Sequence, residues 1–180
     1  MRLVGPTGAL AIVAIAFALG GTPEPALSDP GAATVIIDAM VEDTAIGALE
    51  WTCDPATGLP SPGEAACVGI ESLTGSATGS IDASYLSEVN FAVLANGSAP
   101  YTDFKQLTGT VTGRGSGSFV VLEVGTIAPN GEIEGRWRVV EGSGTGDLVG
   151  VTGRGRIVGV YDAATGLGSG HWSGVLRFRR

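Results

Sequence analysis

The pentapeptide VTGRG occurs twice, at residues 111–115 and 151–155, and backbone amides with arginine in such glycine-rich runs can cradle a phosphate group. A P-loop would also need a lysine followed by Ser or Thr, yet the only lysine, Lys105, precedes a glutamine. Two stretches come close to the dinucleotide pattern G-x-G-x-x-G, but they end in Ser118 and Asp147 instead of the third glycine. Neither is followed by a helical pattern, so the sequence predicts no nucleotide site.

The two VTGRG copies instead lie within runs typical of β-strands, where glycine permits sharp bending or close approach of a neighbouring backbone. We predict that both are bends. As parts of a weak internal duplication, they would place Arg114 and Arg154 in equivalent positions.

Catalytic side chains are few. The sequence has no G-x-S-x-G elbow, and its only histidine, His171, falls on the polar face of the last predicted strand, where a solvated or hydrogen-bonded role is favoured. Glu132 and Glu134 share a strand face at a spacing of about 7 Å, which lies within the range of inverting glycosidases. Their neighbours Arg136 and Arg138 make cross-strand charge pairing the better account, so no catalytic residue is assigned.

The two cysteines, Cys53 and Cys67, bracket a loop rich in proline and glycine. In an exported protein such a pair predicts a disulfide. Zinc would need further ligands, and His171 is the only histidine available. The sequence therefore predicts no metal, no cofactor and no covalent catalysis, with an oxygen-ligated calcium the one ion left open.

The N-terminus resembles an export signal. Arg2 precedes an unbroken apolar run at residues 9–19, which is too short to cross a bilayer as a helix but suits a signal peptide. We predict a helical signal peptide over 1–28, cleaved after Ser28 or, less favourably, after Ala26. The protein would then be secreted, periplasmic or otherwise extracytoplasmic, and the alternative is an uncleaved anchor.

Residues 29–180 are expected to form a single all-β domain. Around Trp137, residues 132–140 alternate between apolar and charged side chains, and the C-terminal stretch around Trp172 repeats the pattern. Predicted strands cover 33–41, 46–53, 66–73, 79–95, 101–112, 118–127, 132–140, 148–161 and 168–180. Many antiparallel strands joined by short glycine-rich turns indicate a barrel or a sandwich, and periodicity alone does not choose between them.

Charge is unevenly distributed along the chain. Residues 29–103 contain eleven acidic side chains and no basic one, whereas residues 104–180 contain nine basic and six acidic side chains. A basic patch for an anionic partner is one interpretation. The favoured one is that the two halves face each other within the domain, because a net charge of −8 disfavours nucleic acid binding.

Two stretches carry a family resemblance: GRGSGSFVVLEVGT at 113–126 and WRVVEGSGTGDLVGVTGRG at 137–155. They resemble the signature of a bacterial family known only as domain of unknown function 3224, which runs G-x-x-G-S-F-V, then G-T, then W-x-V-V-P-G-S-G-T-G-x-L-x-G-L-x-G. The resemblance covers about residues 73–180, and a disulfide-bearing insertion would occupy about 51–68.

The resemblance implies an antiparallel β-barrel of about eight strands, similar to the allene oxide cyclase and dirigent barrels, with Phe119, Trp137 and Trp172 buried. It transfers no chemistry, because a fold does not determine a function. Glu141 replaces the family's proline before GSGTG, and Glu123 stands where family members often carry a histidine.

Three functions fit such a barrel. The first is an exported module that binds a small apolar ligand, for which the candidate contacts are Phe119, Glu123, Arg136, Trp137, Arg154 and Trp172. The alternatives are a structural or interaction module with a filled core, and an isomerase of the allene oxide cyclase kind. We expect no nucleic acid partner and no membrane span in the mature chain, while a homo-oligomer stays open.

Overall fold

The alternation of apolar and polar side chains produces strands along almost the whole described chain. The computed structural model describes residues 33–46 and 50–179. The strands are β1 (Ala33–Ala45), β2 (Glu50–Trp51), β3 (Ala66–Gly79), β4 (Ile81–Leu94), β5 (Ala99–Val111), β6 (Gly115–Ile127), β7 (Glu132–Val139), β8 (Val151–Asp162) and β9 (Leu167–Phe178). A single 3₁₀ turn at Gly146–Leu148 lies in the GSGTG connection between β7 and β8.

Eight long strands close into an antiparallel barrel. Each strand from β3 to β9 pairs with the next, and β1 pairs with β9 on one side and with β3 on the other. The short strand β2 adds to the remaining edge of β3, where Trp51 lies opposite Gly69. The predicted all-β barrel of about eight strands is therefore confirmed, and the sandwich is excluded. The signal peptide helix falls on residues 1–28, outside the described residues.

The lower part of the barrel is filled by an apolar core, where "lower" denotes the end that carries the β3–β4, β5–β6 and β7–β8 connections. Phe119, Trp137 and Trp172 are all buried there, as predicted. The rings of Trp137 and Trp172 stack with centroids 5.6 Å apart, and Trp137 Nε1 donates a hydrogen bond to the carbonyl of Arg156 at 3.1 Å. Both indoles are thus fixed in position.

The two VTGRG copies have different structures. The first forms the β5–β6 turn, where Gly113 has a φ of 73°, and there the Arg114 guanidinium lies 4.2 Å from the ring centroid of Phe178. The second begins strand β8, where a Cβ atom on Gly155 would collide with the Trp137 ring. Arg154 points outward and is exposed. The predicted equivalence of Arg114 and Arg154 is wrong, because one copy reverses the chain and the other continues a strand.

The disulfide between Cys53 and Cys67 is present and joins the β2–β3 loop to the start of β3. Within the described part of the strand predicted at 46–53, Glu50–Trp51 forms a strand, and Cys53 already belongs to the Pro/Gly-rich loop that the disulfide closes. Within residues 33–46 and 50–179 no helix has the length and apolarity that crossing a bilayer requires.

Candidate functional site

A layer of polar side chains lies inside the barrel, above the apolar core. Inward and outward side chains alternate along β5. Asp103 and Lys105 therefore point to the same side as Leu107 and Val111, which belong to the core. We call this layer the interior polar cluster; its members are Asp43, Tyr85, Ser87, Tyr101, Asp103, Lys105, Glu123 and Trp172. They come from β1, β4, β5, β6 and β9.

Lys105 is the centre of the cluster. Its Nζ lies 2.9 Å from Asp43 Oδ1 and 2.6 Å from Asp103 Oδ2, and 4.7 Å from the centroid of the Tyr85 ring. Burial lowers the pKa of this ammonium, but the charges of Asp103 and Asp43 outweigh burial and hold the pKa well above its usual value. Lys105 is therefore a permanent buried cation held between two carboxylates.

Glu123 forms the second half of the cluster. The Tyr101 hydroxyl donates to Glu123 Oε1 at 2.7 Å, and Trp172 Nε1 donates to Oε2 at 3.0 Å. Burial raises the pKa of Glu123 to about 7, and the charge of Asp103 adds to the rise, while Lys105 opposes it. A carboxyl group with a pKa near neutrality is able to both give and take a proton at physiological pH.

Two buried oxygen atoms of the cluster lack hydrogen-bond partners. Asp103 Oδ1 and Ser87 Oγ are both inaccessible to solvent and make no hydrogen bond of standard geometry. Burial raises the pKa of Asp103, while Lys105 and the nearby Ser87 hydroxyl oppose the rise. Unsatisfied buried acceptors are costly, at about 1–3 kcal/mol each, and are concentrated at functional sites.

The cluster reaches solvent through Asp43, whose side chain is 14% exposed, whereas those of Lys105 and Asp103 are 3% exposed. Asp43 Oδ1 also accepts a hydrogen bond from the Tyr85 hydroxyl at 2.7 Å. Its neighbours on β3 and β9 are Gly75 and Gly168. The Tyr85 ring lies against Gly75, and the Asp43 side chain and the Tyr161 ring lie against Gly168. Asp43 is thus the solvent edge of the cluster, at the upper end of the barrel.

A further carboxylate, that of Glu71, lies at the same end. Glu71 Oε2 accepts a hydrogen bond from the Tyr161 hydroxyl at 2.7 Å, and the charge of Asp43 contributes to the raised pKa of Tyr161, after burial and Glu71 itself. The upper end of the barrel interior thus contains the Lys105 ammonium and four carboxyl groups, those of Asp43, Asp103, Glu123 and Glu71.

The structure separates the six residues that the sequence proposed as ligand contacts. Glu123 bonds to Trp172, which stacks on Trp137, and Phe119 belongs to the same core. Arg136 and Arg154 lie on the outer wall, exposed and apart from the interior. They do not join the buried group, because their strand positions alternate with those of Trp137 and Gly155.

Sequence reasoning missed Asp43, Tyr101, Asp103 and Lys105. A signal was present in the segment YTDFKQLTGTV, where Tyr, Asp and Lys occupy the strand face that also carries Leu107 and Val111. Charged residues in register with apolar ones indicate a buried polar group.

The raised pKa of Glu123 predicts a pH-dependent stability. Because the folded protein holds this proton up to about pH 7 and the unfolded chain releases it near the ordinary value of 4.5, stability should fall as pH rises through that window. We expect Glu123→Gln to reduce this fall in the free energy of unfolding by roughly 1–3 kcal/mol. Urea unfolding at pH 4.5 and at pH 8 measures the difference. Glu88→Gln, at an exposed position on β4, is the control; a wild-type pH profile in Glu123→Gln would refute the assignment.

Comparisons with known proteins bear on the fold and the family. The model of a family described as "Protein of unknown function (DUF3224)" matches residues 77–163, which run from the end of β3 through β8. A crystal structure of a protein of unknown function from the same family, from Shewanella oneidensis MR-1, is similar in fold with a TM-score of 0.53 and 25% sequence identity. That similarity covers 83% of this chain and 99% of the other. No curated protein matches the chain significantly. Over residues 77–163 the chain is therefore similar to the DUF3224 family of proteins of unknown function.

Proposed function

We propose that the protein is an exported binding module, and that it takes a small apolar ligand bearing an ammonium or another hydrogen-bond donor into the upper end of the barrel. The observation that carries this proposal is the buried, unpaired Oδ1 of Asp103 in a cluster rich in carboxylates. Export is supported by the apolar run at residues 9–19 and by the Cys53–Cys67 disulfide.

The charges of the site favour a cationic group over an anionic one. Asp43 and Asp103 together carry more negative charge than Lys105 neutralises, and Glu71 adds a further carboxylate at the same end. A donor from the ligand would satisfy Asp103 Oδ1 and recover the cost of leaving that acceptor buried and unpaired. The Asp43 carboxylate, at the solvent edge, would meet such a group first.

The apolar part of the ligand would lie against a second, smaller apolar cluster. It consists of Leu73, Val89 and Tyr101, with Phe91 and Ile127 packed against it, and it lies between the interior polar cluster and the upper loops. These side chains fill the space they enclose, so binding would require some of them to change rotamer. Tyr101 belongs to both clusters and would couple the ligand to Glu123.

An isomerase is the second candidate, and a specific observation favours it. Glu123, with a pKa of about 7, lies in a dry interior, where the Tyr101 hydroxyl holds it by a hydrogen bond. Such a carboxyl group is suited to taking a proton from one carbon of an apolar substrate and returning it to another. Such a reaction would need the same access route as ligand binding.

The test is native mass spectrometry of the full protein purified from its own host, combined with thermal unfolding in a series of n-alkylamines, n-alkanols and n-alkanoates of equal length. We expect a bound small molecule, and a rise in melting temperature with the amines that exceeds the rise with alkanols and is absent with the acids. Asp103→Asn should abolish the rise. Asp82→Asn, an exposed change of the same charge on β4, should preserve it.

The opposite results would point elsewhere. A ligand-free protein whose melting temperature responds to none of the three series would overturn the binding proposal and favour a structural module with a filled interior. Turnover of a bound substrate that Glu123→Gln abolishes would favour the isomerase.

A further inference from the structure

The outer wall of the barrel carries a dense group of arginines on three consecutive strands. We call it the arginine face; its members are Arg136 and Arg138 on β7, Arg154 and Arg156 on β8, and Arg177 on β9. All five are exposed. The face is unrelated to the interior polar cluster, because outward and inward positions alternate along each strand.

The strand register brings like charges directly opposite each other. Arg136 pairs with Arg156, and Arg138 pairs with Arg154. Partners in a cross-strand pair lie about 5 Å apart at their Cβ atoms, and alternate residues along a strand lie about 7 Å apart, so these four arginines form a small grid. Like charges at such positions repel and destabilise a sheet. Two successive pairs of arginines on one wall therefore lower the stability of the sheet, and nothing in the fold requires arginine at these positions.

Acidic side chains compensate little of this repulsion. Arg156 Nη2 contacts Glu134 Oε1 at 2.7 Å, and among the described residues no other ion pair involves the arginine face. The expectation that the basic and acidic halves face each other is not met by the arginines, since none of the described ones pairs with an acid of residues 33–103. Exposed acids such as Asp82 and Glu88 lie on β4, across the barrel.

The surface next to the grid is concave. A shallow groove there is lined by Val124, Glu134, Gly135, Arg136 and Arg156. The exposed side chains of β7 and β8 in the described chain include no aromatic residue, because Trp137 is buried and Tyr161 points inward to Glu71. The stacking platform that single-stranded nucleic acids need is therefore absent from these two strands.

We propose that the arginine face is a binding site for a soluble ligand that carries two or more phosphate groups. Guanidinium groups bind phosphate oxygens through paired, charge-assisted hydrogen bonds, and a grid of four can hold neighbouring phosphates at once. Bound phosphates would replace the repulsion between paired arginines by attraction, in a protein whose net charge is −8. The site is independent of the one proposed in the barrel interior.

The test is isothermal titration of the full protein with inorganic tripolyphosphate at low salt, with orthophosphate as the monomeric comparison. We expect tripolyphosphate to bind at least tenfold more tightly than orthophosphate, with an affinity that falls as salt is added. The double variant Arg138→Gln/Arg154→Gln removes the pair that has no acidic partner, and should weaken binding at least tenfold. Its thermal stability should be unchanged or raised, which shows that the fold is intact.

A variant with the original net charge distinguishes binding at the arginine face from attraction to the protein's overall charge. Adding Asp82→Asn and Glu88→Gln on the opposite wall returns the double variant to the original net charge. The arginine face predicts that binding stays weak, whereas recovered affinity would mean attraction to the protein's overall charge and would overturn the proposal. Vesicles containing phosphatidylglycerol form a third arm: binding to vesicles without binding to tripolyphosphate would replace the soluble ligand by a membrane surface and equally overturn it.

Discussion

Replacing Lys105 by methionine is expected to lower the free energy of unfolding by about 3–5 kcal/mol at pH 7. The substitution keeps an unbranched side chain, one atom shorter, but removes the cation from between Asp43 and Asp103, which approach Lys105 Nζ at 2.9 Å and 2.6 Å. The Asp103 carboxylate is buried and could not be hydrated in compensation. Equilibrium unfolding in urea measures the loss.

Two further variants identify the cause of that loss. Gln106→Met changes the next residue of β5, which is exposed on the outer wall, and should alter stability by less than about 0.5 kcal/mol. Adding Asp103→Asn to Lys105→Met removes a charge that lacks its partner and should recover part of the stability. If Lys105→Met is as stable as Gln106→Met, the buried ion pair does not have the role assigned to it.

Replacing Trp172 by alanine should have an effect of at least equal size, about 3–5 kcal/mol, because its side chain is fully buried and fills the middle of the barrel. It would remove the stacking with Trp137 and leave Glu123 Oε2 without its donor. The measurement is again urea unfolding, with near-ultraviolet circular dichroism to report on the stacked indoles.

Trp172→Phe separates the loss of apolar packing from the loss of the hydrogen bond to Glu123. Phenylalanine retains most of the apolar volume but cannot donate to Glu123, so we expect a smaller loss, on the order of 1–3 kcal/mol, together with a rise in the pKa of Glu123. Trp51→Ala, at a position that is 39% exposed on the edge strand β2, should cost less than either. Equal losses for Trp51→Ala and Trp172→Ala would contradict the packing described for the core.

These predictions bear on whether the barrel interior has a function of its own. Lys105, Asp103 and Glu123 occupy positions where apolar side chains of similar size would be expected to pack without a desolvation penalty. The DUF3224 description assigns no activity that would account for them. A ligand whose donor pairs with Asp103 Oδ1 would explain why these charged side chains are buried there.

Much of the fold follows from the sequence, because its main signal is local. A period of two along a strand depends only on neighbouring residues, so the positions of most strands and the inward orientation of Phe119, Trp137 and Trp172 were predictable. The same holds for the disulfide, since the Pro/Gly-rich loop between Cys53 and Cys67 brings the two ends of a short segment together.

Only the tertiary structure decided which distant residues meet. Asp43 and Lys105 are 62 residues apart in the chain and Glu123 and Trp172 are 49 apart, so their contacts depend on how eight strands are registered around a closed barrel. Closure itself depends on β1 pairing with β3 as well as with β9, which a pattern of period two does not encode. The sequence by itself determined which side chains share a strand face. The register and closure of the barrel determined that a lysine lies between two carboxylates on the inward faces and that arginine lies opposite arginine on the outward faces. Both arrangements depend on the register, which backbone hydrogen bonds between neighbouring strands set.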